Sequence, residues 1–238
     1  MTLTISQKLT TDDLIRAALA EDMPHGDITT DNLIPQNHQS TALIETQQPL
    51  VISGLDIAER VFKLVDTSLE ITLHTENTGC LPKNAPIMTI KGNTQSILKA
   101  ERLALNILQH LCGIATLTYQ YASIISQTKA KITHTRKTLP LLRDWEINAV
   151  LDGGGTAHRK SLSEFVLIKD NHLSAGLTIQ EAVSKTREAT SAGTLIEVEC
   201  DTLQQVEEAL LAKADRILLD NFSIDNLKTA VRLIGDKA

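Results

Sequence analysis

A basic pair stands in the stretch "HTRKTLPLLRDW", where Arg136 and Lys137 lie between Thr135 and Thr138. The preceding residues, "KAKIT", are typical of a strand. Arg guanidiniums and Lys ammoniums are the side chains that bind carboxylates and phosphates most directly. The spacing therefore favours an anion site at the end of a strand, and the alternative is a solvated turn.

Ionisable side chains stand at the ends of four predicted strands, and a glycine loop, "DGGGTAHR", adds His158 and Arg159. The strands are predicted at Lys131–Arg136, Phe165–Asn171, Leu195–Cys200 and Arg216–Asn221, and their charged residues are Arg136, Lys137, Lys169, Glu199 and Asp220. Active residues gather at the carboxyl ends of parallel strands. Cations that face two carboxylates predict a polyanion pocket, with the acids available for Mg²⁺ or for a developing positive charge.

A second enzyme hypothesis starts from Lys169 at the end of its strand. Such a lysine forms a Schiff base with carbonyl substrates if desolvation lowers its pKa. Neighbouring cations at Arg136, Lys137 and Arg159 would help to lower it, but they are more cations than an aldolase needs.

The elements that would position these residues alternate after residue 130. Helices are predicted near Leu141–Leu151, Thr178–Ala192, Thr202–Lys213 and Ile224–Ile234. Apolar strands that alternate with amphipathic helices predict a parallel sheet covered by helices, either barrel-like or open.

The first half of the chain does not show this strand–helix alternation. "TTDDLIRAALAED" predicts a helix capped by Thr10 or Thr11, "MPHGDITTDNLIP" predicts a loop, and Ser40–Lys91 is rich in strand signals around a helical "LDIAERVFKLVD". This half is expected to form a small α/β sandwich. A long apolar segment follows, with a break predicted at Gly113, and its two apolar sides favour a subunit interface as well as a core.

Composition limits the class of protein and the cellular compartment that the sequence is consistent with. The 238 residues carry a net charge of −6, which argues against a general nucleic-acid or membrane surface. Three widely spaced cysteines form no CxxC pattern, as is usual in a reduced compartment. "MTLTISQK" does not resemble a signal peptide, and we find no apolar run of the roughly 18 residues that a membrane helix needs. We therefore expect a cytoplasmic protein.

Seven motifs, spread in order along nearly the whole chain, resemble the quinolinate phosphoribosyltransferase family, also called nicotinate-nucleotide pyrophosphorylase (carboxylating). The motifs are "EDMPHGDITT", "AERLALNILQHLCGIAT", "TRKTLP", "GGGTAHR", "LIKDNH", "IEVE" and "ILLDNF". The resemblance implies an α/β fold with an N-terminal α/β sandwich, residues 1–112, and a C-terminal incomplete α/β barrel of the type II phosphoribosyltransferase kind, residues 113–238. It also implies a homodimer with shared active sites, and the assembly could be larger.

The resemblance also implies roles for individual residues. Quinolinate would be held by Thr135, Arg136, His158 and Arg159, and by Arg102 from a neighbouring subunit. Lys137 and Lys169 would lie near the phosphates of phosphoribosyl pyrophosphate. Glu199 and Asp220 would face the ribose and Mg²⁺, which they would bind directly or indirectly. Lys137, Glu199 and Asp220 are the residues expected to be catalytic.

The chain departs from the family pattern at Leu141, at Ile147-Asn148, at Ser161 and at its C-terminus. Leu141 stands where the family usually has a glycine, and the family continues through two more strand units after "LIGDKA". We therefore expect a C-terminally shortened barrel that holds the phosphoribosyl donor poorly. Two alternatives to the active enzyme are a catalytically silent homologue that binds quinolinate or pairs with a complete subunit, and the pyrophosphorylase-like paralogue of molybdate-transport operons.

Overall fold

A computed structural model describes residues 9–77 and 79–238. The "MTLTISQK" segment lies outside the described residues. The chain divides into two compact units between His158 and Arg159. The first unit contains α1 (Thr11–Asp22), α2 (Ile28–Leu33), β1 (Gln39–Glu45), β2 (Leu50–Val51), α3 (Leu55–Val65), β3 (Glu70–Leu73), β4 (Cys80–Leu81), β5 (Pro86–Asn93), α4 (Thr94–Ile124) and α5 (Arg143–Asp152). The domain boundary expected after residue 112 stays a prediction.

The first unit packs helices against antiparallel strands. Strands β1, β5 and β3 form one sheet in that order, and β2 pairs with β4. Ile15 of α1, Phe62 of α3, Met88 of β5 and Leu111 of α4 are almost completely buried in one apolar cluster. Burying such side chains contributes roughly 1.5–3 kcal/mol each. The mixed α/β class predicted from the sequence is confirmed in this unit.

Capping side chains explain where the first two helices begin. Thr10 Oγ1 accepts a hydrogen bond from the Asp13 amide at 3.2 Å, and the Thr10 amide donates to Asp13 at 2.8 Å, which confirms the cap predicted for α1. Asp27 accepts from the amides of Thr29 and Thr30 and starts α2. The prediction of an unbroken loop here was wrong, because this cap stabilises six residues as a helix.

Helix α4 continues through Gly113 as a single 31-residue helix, so the break predicted there was wrong. Cys112 and Ala115, on either side of that glycine, are both buried in the core of the unit. A glycine inside a helix costs only about 1 kcal/mol relative to alanine, which this packing exceeds. Within the described residues, neither α4 nor another helix is long and apolar enough to cross a membrane.

The strand predicted at Lys131–Arg136 is also wrong. Among the described residues, this segment forms one isolated parallel bridge, between Thr133 and Thr156, supported by a 2.7 Å hydrogen bond from the Thr156 amide to the Ile132 carbonyl. The segment that carries Arg136 and Lys137 therefore belongs to a loop in the first unit.

The second unit is built on a parallel sheet in the order β6, β7, β8. Its elements are β6 (Val166–Ile168), α6 (Asp170–Leu173), α7 (Ile179–Ala189), β7 (Ile196–Cys200), α8 (Leu203–Leu211), β8 (Arg216–Leu219) and α9 (Ile224–Ile234). These strands and the helices α7 to α9 confirm the predicted alternation, with ends that differ by a few residues. Ile168, Val198 and Cys200 pack with the helices in one apolar cluster.

Thiol reactivity gives a test of this packing. All three cysteines are free, and Cys80 is exposed. Burial, and then nearby carboxylates, raise the pKa of Cys200 to about 12, and burial also raises the pKa of Cys112. Because the thiolate is the reactive form, we expect iodoacetamide at about pH 8 to label only Cys80 in the native protein. Mass spectrometry should find all three labelled after denaturation, and Cys80→Ser should abolish native labelling. Native labelling of Cys200 would contradict the described core.

Candidate active site

The two faces of the parallel sheet carry different chemistry. Successive side chains on a strand point to opposite faces. On β7, Val198 and Cys200 face the helices, so Glu197 and Glu199 lie on the other face. Both glutamates are buried, with exposed fractions of 3% and 8%. Carboxylates are seldom buried unless they have partners, so this face is built for polar contacts.

Lys169 and Glu199 form an ion pair on this face. The register places Ile168 of β6 beside Val198 of β7, and Lys169 therefore follows beside Glu199. The Lys169 ammonium donates to the Glu199 carboxylate. The Lys169 amide donates to Nδ1 of His172 at 2.8 Å, which fixes the first turn of α6. Within the "KDNH" motif, His172 therefore holds the backbone of Lys169 in place.

Asp220 lies one residue beyond β8 and is exposed. Its amide donates to the Cys200 carbonyl at 3.0 Å, which continues the pairing of β7 with β8. Its carboxylate accepts from the Asn221 side chain at 3.0 Å. The parallel pairing of β7 with β8 therefore places Glu199 and Asp220 at the ends of neighbouring strands, as the sequence predicts.

Two further charged residues, Glu197 of β7 and Arg216 of β8, lie on the same face of the sheet and were not predicted as site residues from the sequence. They pair with each other in register. The guanidiniums of Arg159 and Arg216 lie 5.8 and 5.9 Å from the centroid of the Phe165 ring. A cation at this distance is attracted to the ring face. The alternation in "IEVEC" already placed Glu197 beside Glu199, whereas the Arg216 contact needed the register.

In the first unit, the "HTRKT" loop is held by several side chains. The Lys137 amide donates to Thr135 Oγ1 at 3.1 Å, and Arg143 donates to Thr138 Oγ1 at 3.1 Å. The Leu139 amide donates to the buried carboxylate of Glu146, at 3.3 Å. Lys137 itself is exposed. The loop is therefore fixed while its ammonium is available to a ligand.

Glu146 was not recognised in the sequence. It has only 7% of its surface exposed, and it also contacts Nε2 of His110 on α4 at 2.8 Å. Its partners are 7 and 36 residues away along the chain. No local sequence pattern predicts contacts at these separations, so the role of Glu146 could not be found from the sequence.

Arg136 is half-buried and has a donor to offer. Its Nε is buried and has no hydrogen-bond partner within residues 9–77 and 79–238. Leaving a buried donor unsatisfied costs about 1–3 kcal/mol, and more for a charged group. An anion that accepts from this nitrogen would remove that cost, so Arg136 is suited to bind one.

The glycine loop packs its backbone against α4 and α5. A Cβ on Gly153 would lie 2.4 Å from the Ala115 carbonyl oxygen and 2.7 Å from Thr118 Cβ, and a Cβ on Gly155 would lie 2.5 Å from Val150. Glycine is therefore required for close approach, and the same loop leads to Thr156 and His158. Arg102 is exposed on α4 in the same unit.

We expect Gly153→Ala to lower the free energy of unfolding by about 1–3 kcal/mol, because the carbonyl that it would meet belongs to a helix backbone and cannot move cheaply. Urea titration measures the change. Gly113→Ala is the matched control at the same protein concentration, because a Cβ there meets nothing within 4 Å and alanine favours the helix. Equal stability of wild type and Gly153→Ala would show that the loop is not packed as described.

The described residues contain no group of three or more His, Cys, Asp or Glu side chains that could hold a metal ion. Glu199 is bonded to Lys169, and Asp220 is exposed. Mg²⁺ commonly takes one or two protein carboxylates and completes its shell with water and substrate phosphates. The carboxylates fit a magnesium ion that arrives with a phosphorylated ligand, and they do not fit a metal held by protein alone.

Comparison with known proteins gives matches along most of the chain. Residues 27–112 match the family model "Quinolinate phosphoribosyl transferase, N-terminal domain", and residues 114–238 match the corresponding C-terminal domain. A probable nicotinate-nucleotide pyrophosphorylase [carboxylating] of Synechocystis is 38% identical over 94% of this chain and 75% of its own length.

Solved structures agree with the sequence matches. The nicotinate-nucleotide pyrophosphorylase of Francisella tularensis superposes with a TM-score of 0.88 at 38% identity, covering 95% of this chain and 81% of that one. The enzyme of the same name from Ehrlichia chaffeensis gives 0.92 at 36% identity, covering 98% and 84%.

Proposed function

The chain belongs to the quinolinate phosphoribosyl transferase family, and we propose how its own residues perform the reaction. The reaction is phosphoribosyl transfer to quinolinate with decarboxylation, which yields nicotinate mononucleotide for NAD biosynthesis. The observation that carries this function is the match of both family domains, together with 34–38% identity to carboxylating pyrophosphorylases.

The chemistry sets two demands on the protein. The pyridine nitrogen forms a bond to the anomeric carbon of phosphoribosyl pyrophosphate, and the bond to pyrophosphate breaks. The 2-carboxylate then leaves as CO₂, its electron pair stays on the ring carbon, and that carbon takes up a proton. The site must hold a dianionic ring in one orientation, and it must stabilise positive charge on the ribose as pyrophosphate leaves.

We assign quinolinate binding to Arg136, His158 and Arg159, with Thr135 in the same loop. The buried Nε of Arg136 supports its role, since a carboxylate would satisfy it. Charge-assisted hydrogen bonds of this kind are worth roughly 1.5–3 kcal/mol each. The family resemblance supports the other positions.

We assign the phosphates of the donor to Lys137 and Lys169, and the ribose to Glu199 and Asp220. The burial of Glu199 beside Lys169 supports this assignment, because a carboxylate in a poorly hydrated place interacts more strongly with a developing cation. Mg²⁺ would be held by Glu199, by Asp220 and by the donor's own phosphates. When bound, it would neutralise charge on the departing pyrophosphate.

We further propose a homodimer that forms through α4. This helix exposes Leu117, Tyr121 and Ile124, with exposed fractions of 54%, 56% and 79%. Beside it, Leu50, Leu105 and Leu117 line an apolar groove of about 500 Å³. Exposed apolar surface of this kind is typical of an interface. Arg102, exposed on the same helix, would then contribute to the active site of the partner.

Mixing two inactive variants tests this sharing. An Arg102→Ala protein and a Lys137→Ala protein are each expected to be impaired. If sites are shared, mixed dimers contain one site with both native residues, and part of the activity should return after subunit exchange. Mixing Arg136→Ala with Lys137→Ala is the control, because both residues lie in one loop. Proven exchange without recovery would argue against shared sites.

We also propose a cytoplasmic location, which the thiol chemistry supports. All three cysteines are free, and two are buried without a disulfide. Reduced thiols are usual in the cytosol.

Pyrophosphate release tests the function directly. With quinolinate, phosphoribosyl pyrophosphate and Mg²⁺, steady-state release of pyrophosphate is expected, with none when quinolinate is omitted. Nicotinate in place of quinolinate is the control for the second carboxylate. Quinolinate binding without turnover would instead support a catalytically silent homologue.

A further inference from the structure

His134 is the buried first residue of the "HTRKT" loop, and the proposed quinolinate site gives it no role. Only 6% of its surface is exposed. A buried imidazole needs partners for its nitrogens, because an unsatisfied polar group in the interior is costly. Its two nitrogens therefore show what this residue does.

Two segments that carry proposed quinolinate ligands run side by side here. Thr133 and Thr156 form a parallel bridge, and the Thr156 amide donates to the Ile132 carbonyl. Arg136 lies three residues after that bridge on one segment, and His158 lies two residues after it on the other. The relative position of the two ligands therefore depends on how the segments stay joined beyond the bridge.

The next rung of the ladder is made by a side chain. In a continuing parallel ladder, the His158 amide would donate to the backbone carbonyl of residue 134. Instead it donates to Nε2 of His134, at 3.0 Å. The imidazole thus replaces the backbone acceptor, joins the segments, and lets the chain leave the strand path before Thr135.

This contact fixes the protonation state of the ring. A backbone amide can only donate, so Nε2 must accept and carries no proton. The proton of the neutral ring is then on Nδ1, which lies 3.3 Å from the Thr135 carbonyl oxygen and can donate to it. The second nitrogen therefore supports the loop at the residue next to Arg136.

We propose that His134 is a positioning residue which, as a neutral imidazole protonated on Nδ1, ties the Arg136 loop to His158 and so sets the spacing of the groups that bind the two carboxylates of quinolinate. This rests on the proposed function, in which both segments bind quinolinate. Two adjacent carboxylates on a rigid ring need fixed partners, and small displacements of such partners cost binding.

Two variants separate this role from simple packing. His134→Leu keeps an apolar bulk and removes the acceptor, and it should raise KM for quinolinate about tenfold, while KM for the sugar donor changes by less than about twofold. His134→Gln places an amide oxygen near Nε2 and should stay within about threefold of wild type. A folded His134→Leu with wild-type KM for quinolinate, or with both KM values raised equally, would overturn the proposal.

Nitrogen NMR of histidine-labelled wild-type protein gives a readout independent of turnover. The His134 ring is expected to show a protonated Nδ1 and an unprotonated Nε2. A proton on Nε2 would overturn the proposal even if His134→Leu does not fold. Wild-type turnover is measured first: its absence with quinolinate would refute the proposed function, whereas the ring tautomer would still decide whether the His134 link exists.

Discussion

Replacing Glu199 with glutamine is expected to lower kcat by about a hundredfold or more while the protein remains folded. Glu199 is a buried carboxylate on the central strand of the parallel sheet, bonded to Lys169. Departure of pyrophosphate makes the ribose carbon cationic, and a fixed negative charge stabilises that state more than the ground state. Glutamine keeps the shape and a hydrogen-bond acceptor but removes the charge.

The effect should appear in kcat and not in quinolinate binding. Steady-state kinetics with both substrates varied gives the separation. Glu207→Gln is the matched control, because Glu207 is exposed on α8 and its substitution changes the net charge by the same amount. A kcat for Glu199→Gln within about threefold of wild type would remove Glu199 from the catalytic group.

Replacing Arg136 with alanine is expected to raise KM for quinolinate about thirtyfold, which corresponds to about 2 kcal/mol. The half-buried guanidinium has a buried Nε without a partner in the described part of the chain, so a carboxylate would both pair with the charge and satisfy the donor. Arg136→Lys should recover only part of the loss, since an ammonium lacks the planar fork.

The same experiment divides the proposed site by substrate. Arg159→Ala should resemble Arg136→Ala, whereas Lys137→Ala and Lys169→Ala should mainly impair use of the sugar donor. Lys131→Ala, an exposed cation earlier in the same segment, controls for a general loss of positive charge. If all four variants weakened both substrates equally, the division of the site would be wrong.

The second unit was the part that the sequence predicted best. Its strands are short and mostly apolar, and its helices α7 and α8 begin directly after Thr178 and Thr202, whose side chains cap them. Both signals are local. The register of β6 with β7, which the structure supplies, then brings Lys169 to Glu199.

The errors arose where distant contacts decided the structure. "KAKIT" is a good strand sequence, but the one bridge that it forms with other described residues is at Thr133, and the His134 side chain replaces the next backbone acceptor. Gly113 suggested a break, but α4 continues because its neighbours pack in the core. Glu146 and His134 stabilise the "HTRKT" loop through partners that no local sequence pattern predicts.

In each turnover this chain is expected to transfer a phosphoribosyl group to quinolinate and to remove one carboxylate. The most direct measurement uses quinolinate labelled with ¹³C in the 2-carboxylate, and follows labelled CO₂ and pyrophosphate together with the mass of the nucleotide. Equal amounts of ¹³CO₂ and pyrophosphate are expected, together with an unlabelled nicotinate mononucleotide. Nucleotide that keeps the label, or pyrophosphate released without CO₂, would contradict it.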